Sequence, residues 1–292
     1  MNVLVATDGS EYGRWGLNWV AKLPLVEPAK VTVLHVLDHA KLLLPFRTKL
    51  EVQRVEARSE RTLKKITEQL AALKLNGEVR KEKGAVAPTI LKRAPKRDGF
   101  LVVGSKGLDA LDRFTLGSVS TKLIQHVSCP VLVIKGDAPP LRRVALAIDG
   151  SPASAKALDF VLTKFQPVRA TRKGKQVPIH VSVIHVMAPH PLAPLEVGTT
   201  IPWIKQRRLK EKDTGRRLVE QSAQKLIEAG FTAEVLCQHG NPAEKILQVA
   251  SKQHADLIVM GAKGLAAIDR FLLGSVSTRV VQHANSSVLV VR

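Results

Sequence analysis

Short β-branched apolar runs alternate along the chain with longer amphipathic stretches, the pattern of a parallel sheet covered by helices. In the first half, Val3–Thr7, Val31–Leu37, Glu78–Lys83, Phe100–Val103 and Val131–Ile134 predict five strands. Four are apolar throughout, as strands buried on both faces are. The third alternates with charge and is expected at an edge. Helices are predicted at about 10–22, 48–74, 87–95 and 117–127.

The second half repeats this order. GSKGLDALDRFTLGSVSTKLIQHVSCPVLVIK at 104–135 and GAKGLAAIDRFLLGSVSTRVVQHANSSVLVVR at 261–292 agree at 19 of 32 positions without a gap. NVLVATDGS at 2–10 faces RVALAIDGS at 143–151, and VTVLHV at 31–36 faces VSVIHV at 181–186. One unit is therefore used twice, giving domains at 1–136 and 142–292. GDAPPL at 136–141 between them, with its Gly and paired Pro, is expected to be an exposed linker. The second half carries extra length in a basic loop around Arg169–Lys175 and from Ala188 to Trp203.

Composition narrows the class. The 292 residues are 45% hydrophobic and 24% charged, ample for two buried cores. The start MNVLVATDGS has no basic leader, no apolar run reaches the roughly 18 residues of a membrane span, and Cys129 and Cys237 form no CxxC pair. Secretion, membrane insertion, a disulfide framework and a zinc site are not expected, and a cytoplasmic location is. The net charge is +20, divided as +9 over residues 1–141 and +11 over 142–292. Such a field favours anionic partners and says nothing about fold.

The candidate chemistry lies in G-x2-G-x9-G-S: Gly104, Gly107, Gly117 and Ser118, then Gly261, Gly264, Gly274 and Ser275. The first two glycines follow an apolar strand, where the backbone can approach a ligand. The third opens a helix, whose free N–H groups and positive dipole end form an anion site to which the serine adds a donor. Alternatively the glycines make tight turns and the serine is an N-cap. Asp8 and Asp149 end the first strand of each half, where a doubly wound sheet binds ligands; they either meet a ribose or base or cap the following helix. Lys106 and Lys263 either neutralise phosphate or are solvated. His35, His185, His126 and His283 lack metal-ligand spacing and read as structural. KQRRLKEKDTGRR at 205–217 reads as a solvated helix face, too poor in aromatics for a base-stacking platform.

D-G-S after strand one, H-V in strand two, and G-x2-G-x9-G-S followed by V-S-T together resemble the universal stress protein family in its tandem, ATP-binding form, over nearly the whole chain. The resemblance implies an α/β fold: two doubly wound domains, each a five-stranded parallel sheet of order 3-2-1-4-5 with helices on both faces. It implies that Asp8 and Asp149 meet adenine or ribose and that Val36 and Val186 touch the base. Gly104, Gly107, Gly117, Ser118, Val119 and Ser120 would hold ribose and phosphates, as would Gly261, Gly264, Gly274, Ser275, Val276 and Ser277 in the second half. The ligand would be ATP or another adenine nucleotide, with or without Mg2+, and the two domains would pair as a pseudo-dimer or the chain form a homo-oligomer. The implied role is a nucleotide-dependent regulatory module of stress response with no catalytic residues. The alternatives are a slow nucleotide hydrolase using the same crevice, for which no general base or metal-binding Asp pair is evident, and a nucleic-acid or anionic-lipid binder, for which only charge speaks.

Overall fold

A computed structural model of the chain describes residues 1–38, 48–107, 116–170, 176–188, 202–264 and 273–292. These divide into two compact units, Met1–Pro140 with Ser287–Leu289 and Leu141–Ser286 with Val290–Arg292.

The first unit runs β1 (Asn2–Thr7), α1 (Glu11–Lys22), β2 (Lys30–Asp38), α2 (Lys49–Ala72), β3 (Gly77–Gly84), α3 (Val86–Arg93), β4 (Gly99–Gly104), α4 (Ser118–His126) and β5 (Val131–Ile134). Its strands lie in the order β3-β2-β1-β4-β5, and each neighbouring pair is parallel. Val3, Val5, Val31, Val33, Leu101, Val102 and Val131 to Ile134 are all but inaccessible, as a sheet sandwiched between two helical layers requires. Helix α1 packs on α2, and α3 on α4. The charged third strand is the half-exposed edge. Its lysines pair with the long polar helix above it, Lys83 with Glu56 at 2.9 Å and Lys81 with Glu60, and Arg93 of α3 reaches Glu82 at 2.7 Å. Helix α2 starts with a capping box in which the Thr48 hydroxyl accepts from Glu51 N and the Glu51 carboxylate accepts from Thr48 N, which fixes its entry although it buries few residues.

The second unit repeats the plan: β6 (Arg143–Ala147), α5 (Pro152–Lys164), β9 (His180–Met187), α6 (Pro202–Glu228), β10 (Thr232–His239), α7 (Pro242–Lys252), β11 (Leu257–Gly261), α8 (Ser275–His283) and β12 (Ser287–Val291), with the parallel order β10-β9-β6-β11. It adds an antiparallel ribbon, β7 (Val168–Ala170) against β8 (Gln176–Pro178), where the sequence reading expects only a basic loop. Residues 171–175 and 189–201, which hold most of the extra length, lie outside the described residues.

The segment after β5 differs from the expected exposed linker. Ala138 is buried because α1 reaches it: Trp19 Nε1 donates to Gly136 O at 3.0 Å, Lys22 Nζ to Ala138 O at 2.6 Å, and Asn18 Nδ2 to Asp137 Oδ1 at 2.8 Å. β5 ends at Ile134, and side chains of α1 satisfy the Gly136 and Ala138 carbonyls that lie between it and the paired prolines.

Candidate functional site

In the first unit the strand order reverses between β1 and β4, so the connections leaving these two strands diverge and open a crevice beyond their C-terminal ends. A cavity of about 620 Å³ occupies it, within the range of small-molecule sites. Asp8, Val36, Gly104, Lys106, Gly107, Gly117, Ser118, Val119 and Ser120 all line it. The cavity thus brings together the first-half positions assigned to the ligand, from the Asp-Gly-Ser turn, β2 and the glycine motif.

The Asp-Gly-Ser turn holds the first wall. Gly9 has φ +85°, and its counterpart Gly150 +83°, a region that residues with a Cβ avoid. Within the turn, Asp8 Oδ1 accepts from Ser10 N and Asp149 Oδ1 from Ser151 N, both at 2.9 Å. The acid therefore does tie the start of the helix. Its other oxygen faces the glycine loop: a Cβ on Gly107 would stand 2.6 Å from Asp8 Oδ2, and one on Gly264 2.7 Å from Asp149 Oδ2. The helix-start reading of this aspartate accounts for one oxygen, and the other lies against the second glycine of the motif.

The three glycines of each motif have distinct tasks. Gly104 and Gly261 make room for the neighbouring helix, since a Cβ there would meet Tyr12 Cβ at 2.6 Å or the Ala153 carbonyl carbon at 2.6 Å. The second glycine admits the aspartate. The third is the least crowded, a Cβ at Gly117 meeting its nearest atom at an ordinary 3.5 Å and one at Gly274 standing a tight 3.3 Å from Ala262 O. Gly117 and Gly274, rather than the serines, occupy the N-cap positions of α4 and α8, with no side chain capping either helix; Ser118 and Ser275 are the first helical residues and are exposed. The serine N-cap alternative is thereby corrected: the first-turn N–H groups of these helices receive no side-chain cap, and helix geometry leaves such groups without an intrahelical partner. Ser120 and Ser277 point inward, their hydroxyls donating to Gly104 O at 2.6 Å and Gly261 O at 2.9 Å, which pins the helix start to the strand end.

His35 and His185 are structural in their contacts. His35 Nδ1 donates to Thr7 O and His185 Nδ1 to Ile148 O, both at 2.9 Å, tying β2 and β9 to the ends of the first strands. Among the described residues no three His, Cys, Asp or Glu side chains form a metal-binding group. Cys129 is buried, and burial raises the thiol pKa of Cys237. Of the basic stretch on α6, Arg216 and Arg217 are exposed, and Arg216 pairs with Glu220 at 2.7 Å.

Two features of the site escape the sequence reading. Helix α2 contributes Val55, Arg58, Ser59 and Thr62 to the cavity wall, and Ser59 is 3% exposed with its hydroxyl unpartnered. In the second unit the Lys263 ammonium is buried without a hydrogen-bond partner. The α2 residues carry no motif and do not recur in the second half, so self-comparison passes over them.

Doubly wound sheets with a glycine-lined crevice at the switch point form a class built to hold a small ligand at the strand ends. Within it, this chain belongs to the universal stress protein family, which matches residues 1–135 and again 140–292. It is 32% identical over 305 aligned residues to a universal stress protein of Mycolicibacterium smegmatis, covering 99% of this chain and 96% of that one. Universal stress protein YxiE of Bacillus subtilis is 33% identical over 154 residues, which are 51% of this chain and 98% of that shorter protein. The crystal structure of a universal stress protein from Archaeoglobus fulgidus superposes with a TM-score of 0.67 at 23% identity, covering 100% of this chain and 96% of that one. Among the described residues no helix is long and apolar enough to cross a membrane.

Proposed function

We propose that each unit binds an adenine nucleotide in its crevice, and that the chain is a nucleotide-dependent regulatory module of stress response in the cytoplasm. The observation that carries this is the cavity in the first unit, which joins an apolar wall, an acidic turn and an uncapped helix N-terminus in one space. The chemistry suits the parts of such a ligand. Val36, Leu37, Val86 and Ile90 offer an apolar slot for the base, and Asp8 an acceptor for a ribose hydroxyl. The start of α4, with Lys106 beside it, offers N–H donors and positive charge for phosphates. In the second unit Asp149, Val186, Gly274, Ser275 and Val276 would take the same roles. The buried Lys263 ammonium there lacks a partner that a phosphate would supply. Mg2+ would be held mainly by the phosphates and water, as its ligand preferences allow.

The test is to denature protein purified from its source, identify what it releases by mass spectrometry, and titrate the emptied protein with ATP in a calorimeter. Release of an adenine nucleotide and a stoichiometry of two are expected. Failure of ATP, ADP, AMP and adenosine all to bind would overturn the reading.

A further inference from the structure

Ser59 sits in the middle of α2, is 3% exposed and lines the first unit's cavity, yet its hydroxyl has no hydrogen-bond partner. A helical serine can satisfy itself by bonding to the carbonyl one turn back. This one does not, and an unsatisfied buried hydroxyl costs stability unless something else meets it. The second unit does not share the feature. Thr62 of α2 packs against Gly9 as Leu218 of α6 packs against Gly150, which places Ser59 and Gly215 at equivalent positions one turn earlier. Gly215 carries no hydroxyl, and a Cβ there would stand 2.5 Å from the His185 ring. That ring fills the space in which a serine would stand.

The position along the crevice follows from packing. Helix α2 lies against β2, β3 and α1, on the side of β1 away from β4 and the glycine loop. Ser59 therefore enters the part of the cavity walled by His35 and Val36, across β1 from β4 and the helix α4 that follows it.

We infer that Ser59 is a ligand-contacting, specificity-determining residue of the first unit, hydrogen-bonding the nucleoside part of the ligand, and that the two crevices are consequently not equivalent. The inference rests on the proposed nucleotide reading and adds to it a contact that one unit has and the other lacks.

The experiment uses the full chain carrying Gly274→Val to silence the second site, with and without Ser59→Ala, titrated with ATP and with adenosine. A neutral hydrogen bond to a buried group predicts that Ser59→Ala weakens both ligands by the same factor, about three- to tenfold. Equal factors place the contact on the nucleoside, and a loss confined to ATP overturns that placement. Ser59→Thr, which keeps the hydroxyl, is expected to recover more than half of the loss. The unliganded melting temperature supplies the control: removing an orphaned hydroxyl should leave it unchanged or raise it, whereas a merely structural serine would lower it. Unchanged affinity in Ser59→Ala, with binding still abolished by Gly117→Val, overturns this inference and leaves the nucleotide reading standing. Absence of binding by the unmutated chain overturns both.

Discussion

The two crevices share a floor and differ in the helix above it. Both have the Asp-Gly-Ser turn at positive φ, the aspartate oxygen facing the second glycine, the inward serine tied to the first, and the uncapped helix opened by the third. Above the floor, α2 presents Arg58, Ser59 and Thr62, whereas the matching positions on α6 are Thr214, Gly215 and Leu218. A duplicated unit keeps what its backbone geometry demands: the turn glycine stands at positive φ, and the first two motif glycines sit where a Cβ would collide. On the overlying helix the two units do not share their contacts, Gly215 lying against the His185 ring where the first unit has Ser59, and there the halves have diverged.

The largest effect should come from the third glycine. A Cβ on Gly117 meets nothing nearer than 3.5 Å, so Gly117→Val should fold while its side chain enters the ligand's space. Loss of two charge-assisted bonds to the helix start predicts about a hundredfold weaker binding at the first site. The second site should be untouched, so calorimetric stoichiometry should fall from two to one. A mutant that still binds two equivalents would show that the crevice is not the site.

Next in size is a stability change confined to the second unit. Gly215→Ala drives a methyl to 2.5 Å from a His185 ring already held by Ile148 O, and overpacking of this kind costs about 1–3 kcal/mol. In the first unit Ser59→Ala, at the equivalent place, should cost nothing. Urea unfolding of the two variants side by side measures the contrast. Equal midpoints would mean that the two helices are seated alike.

The floor was legible in the sequence because it is repeated and because its chemistry needs particular residues. The glycine of DGS and the first two spaced glycines have steric reasons to stand where they do, and the apolar runs match the parallel strands to within a residue or two at most ends. The overlying helix was not legible. Its periodicity predicted a helix at 48–74, but Arg58 and Ser59 read as ordinary positions on a polar face, and only the register of α2 against β2 turns Ser59 inward. The β7–β8 ribbon was missed because its strands are three residues each, too short to show a period, and one contains Pro178. The packing of Ala138 under α1 was missed because Gly and paired Pro signal a break in regular structure, not exposure.

A smaller contrast concerns the two turns. Ser151 Oγ accepts from Ser154 N and donates to Lys263 O, both at 3.1 Å, so it caps α5 and ties the turn to the glycine loop. Ser10, its counterpart, makes no side-chain cap to α1. Ser151→Ala should therefore destabilise the protein by about 1–2 kcal/mol and Ser10→Ala by less than half of that. Thermal melts of the two variants decide it, and an equal loss would remove this difference between the halves.

The smallest expected effect is a pH dependence in one half only. Lys135, just beyond β5, has its pKa brought down to about 8 by burial and then by the charge of Lys106. The repeat puts Arg292 at the matching place in the second half, and a guanidinium does not titrate in this range. For Lys135 the folded pKa lies below the ordinary lysine value, so below pH 8 both folded and unfolded chains carry the proton and the cost of burying it is fully present. Between about pH 8 and 10 the folded chain has released a proton that the unfolded chain keeps, so stability should rise with pH across that window. Affinity should move the opposite way. A phosphate beside Lys106 is helped by a charged Lys135, so the first site should weaken by about twofold as pH rises through 8, taking up a fraction of a proton on binding, while the second stays level. Calorimetry of the chain carrying Gly274→Val, repeated in buffers of different ionisation enthalpy, reads both the affinity and the proton uptake. Lys135→Met should flatten the profile. If the second site, measured alone in Gly117→Val, shows the same slope, the titrating group lies outside the first unit's loop and the asymmetry is not carried by Lys135.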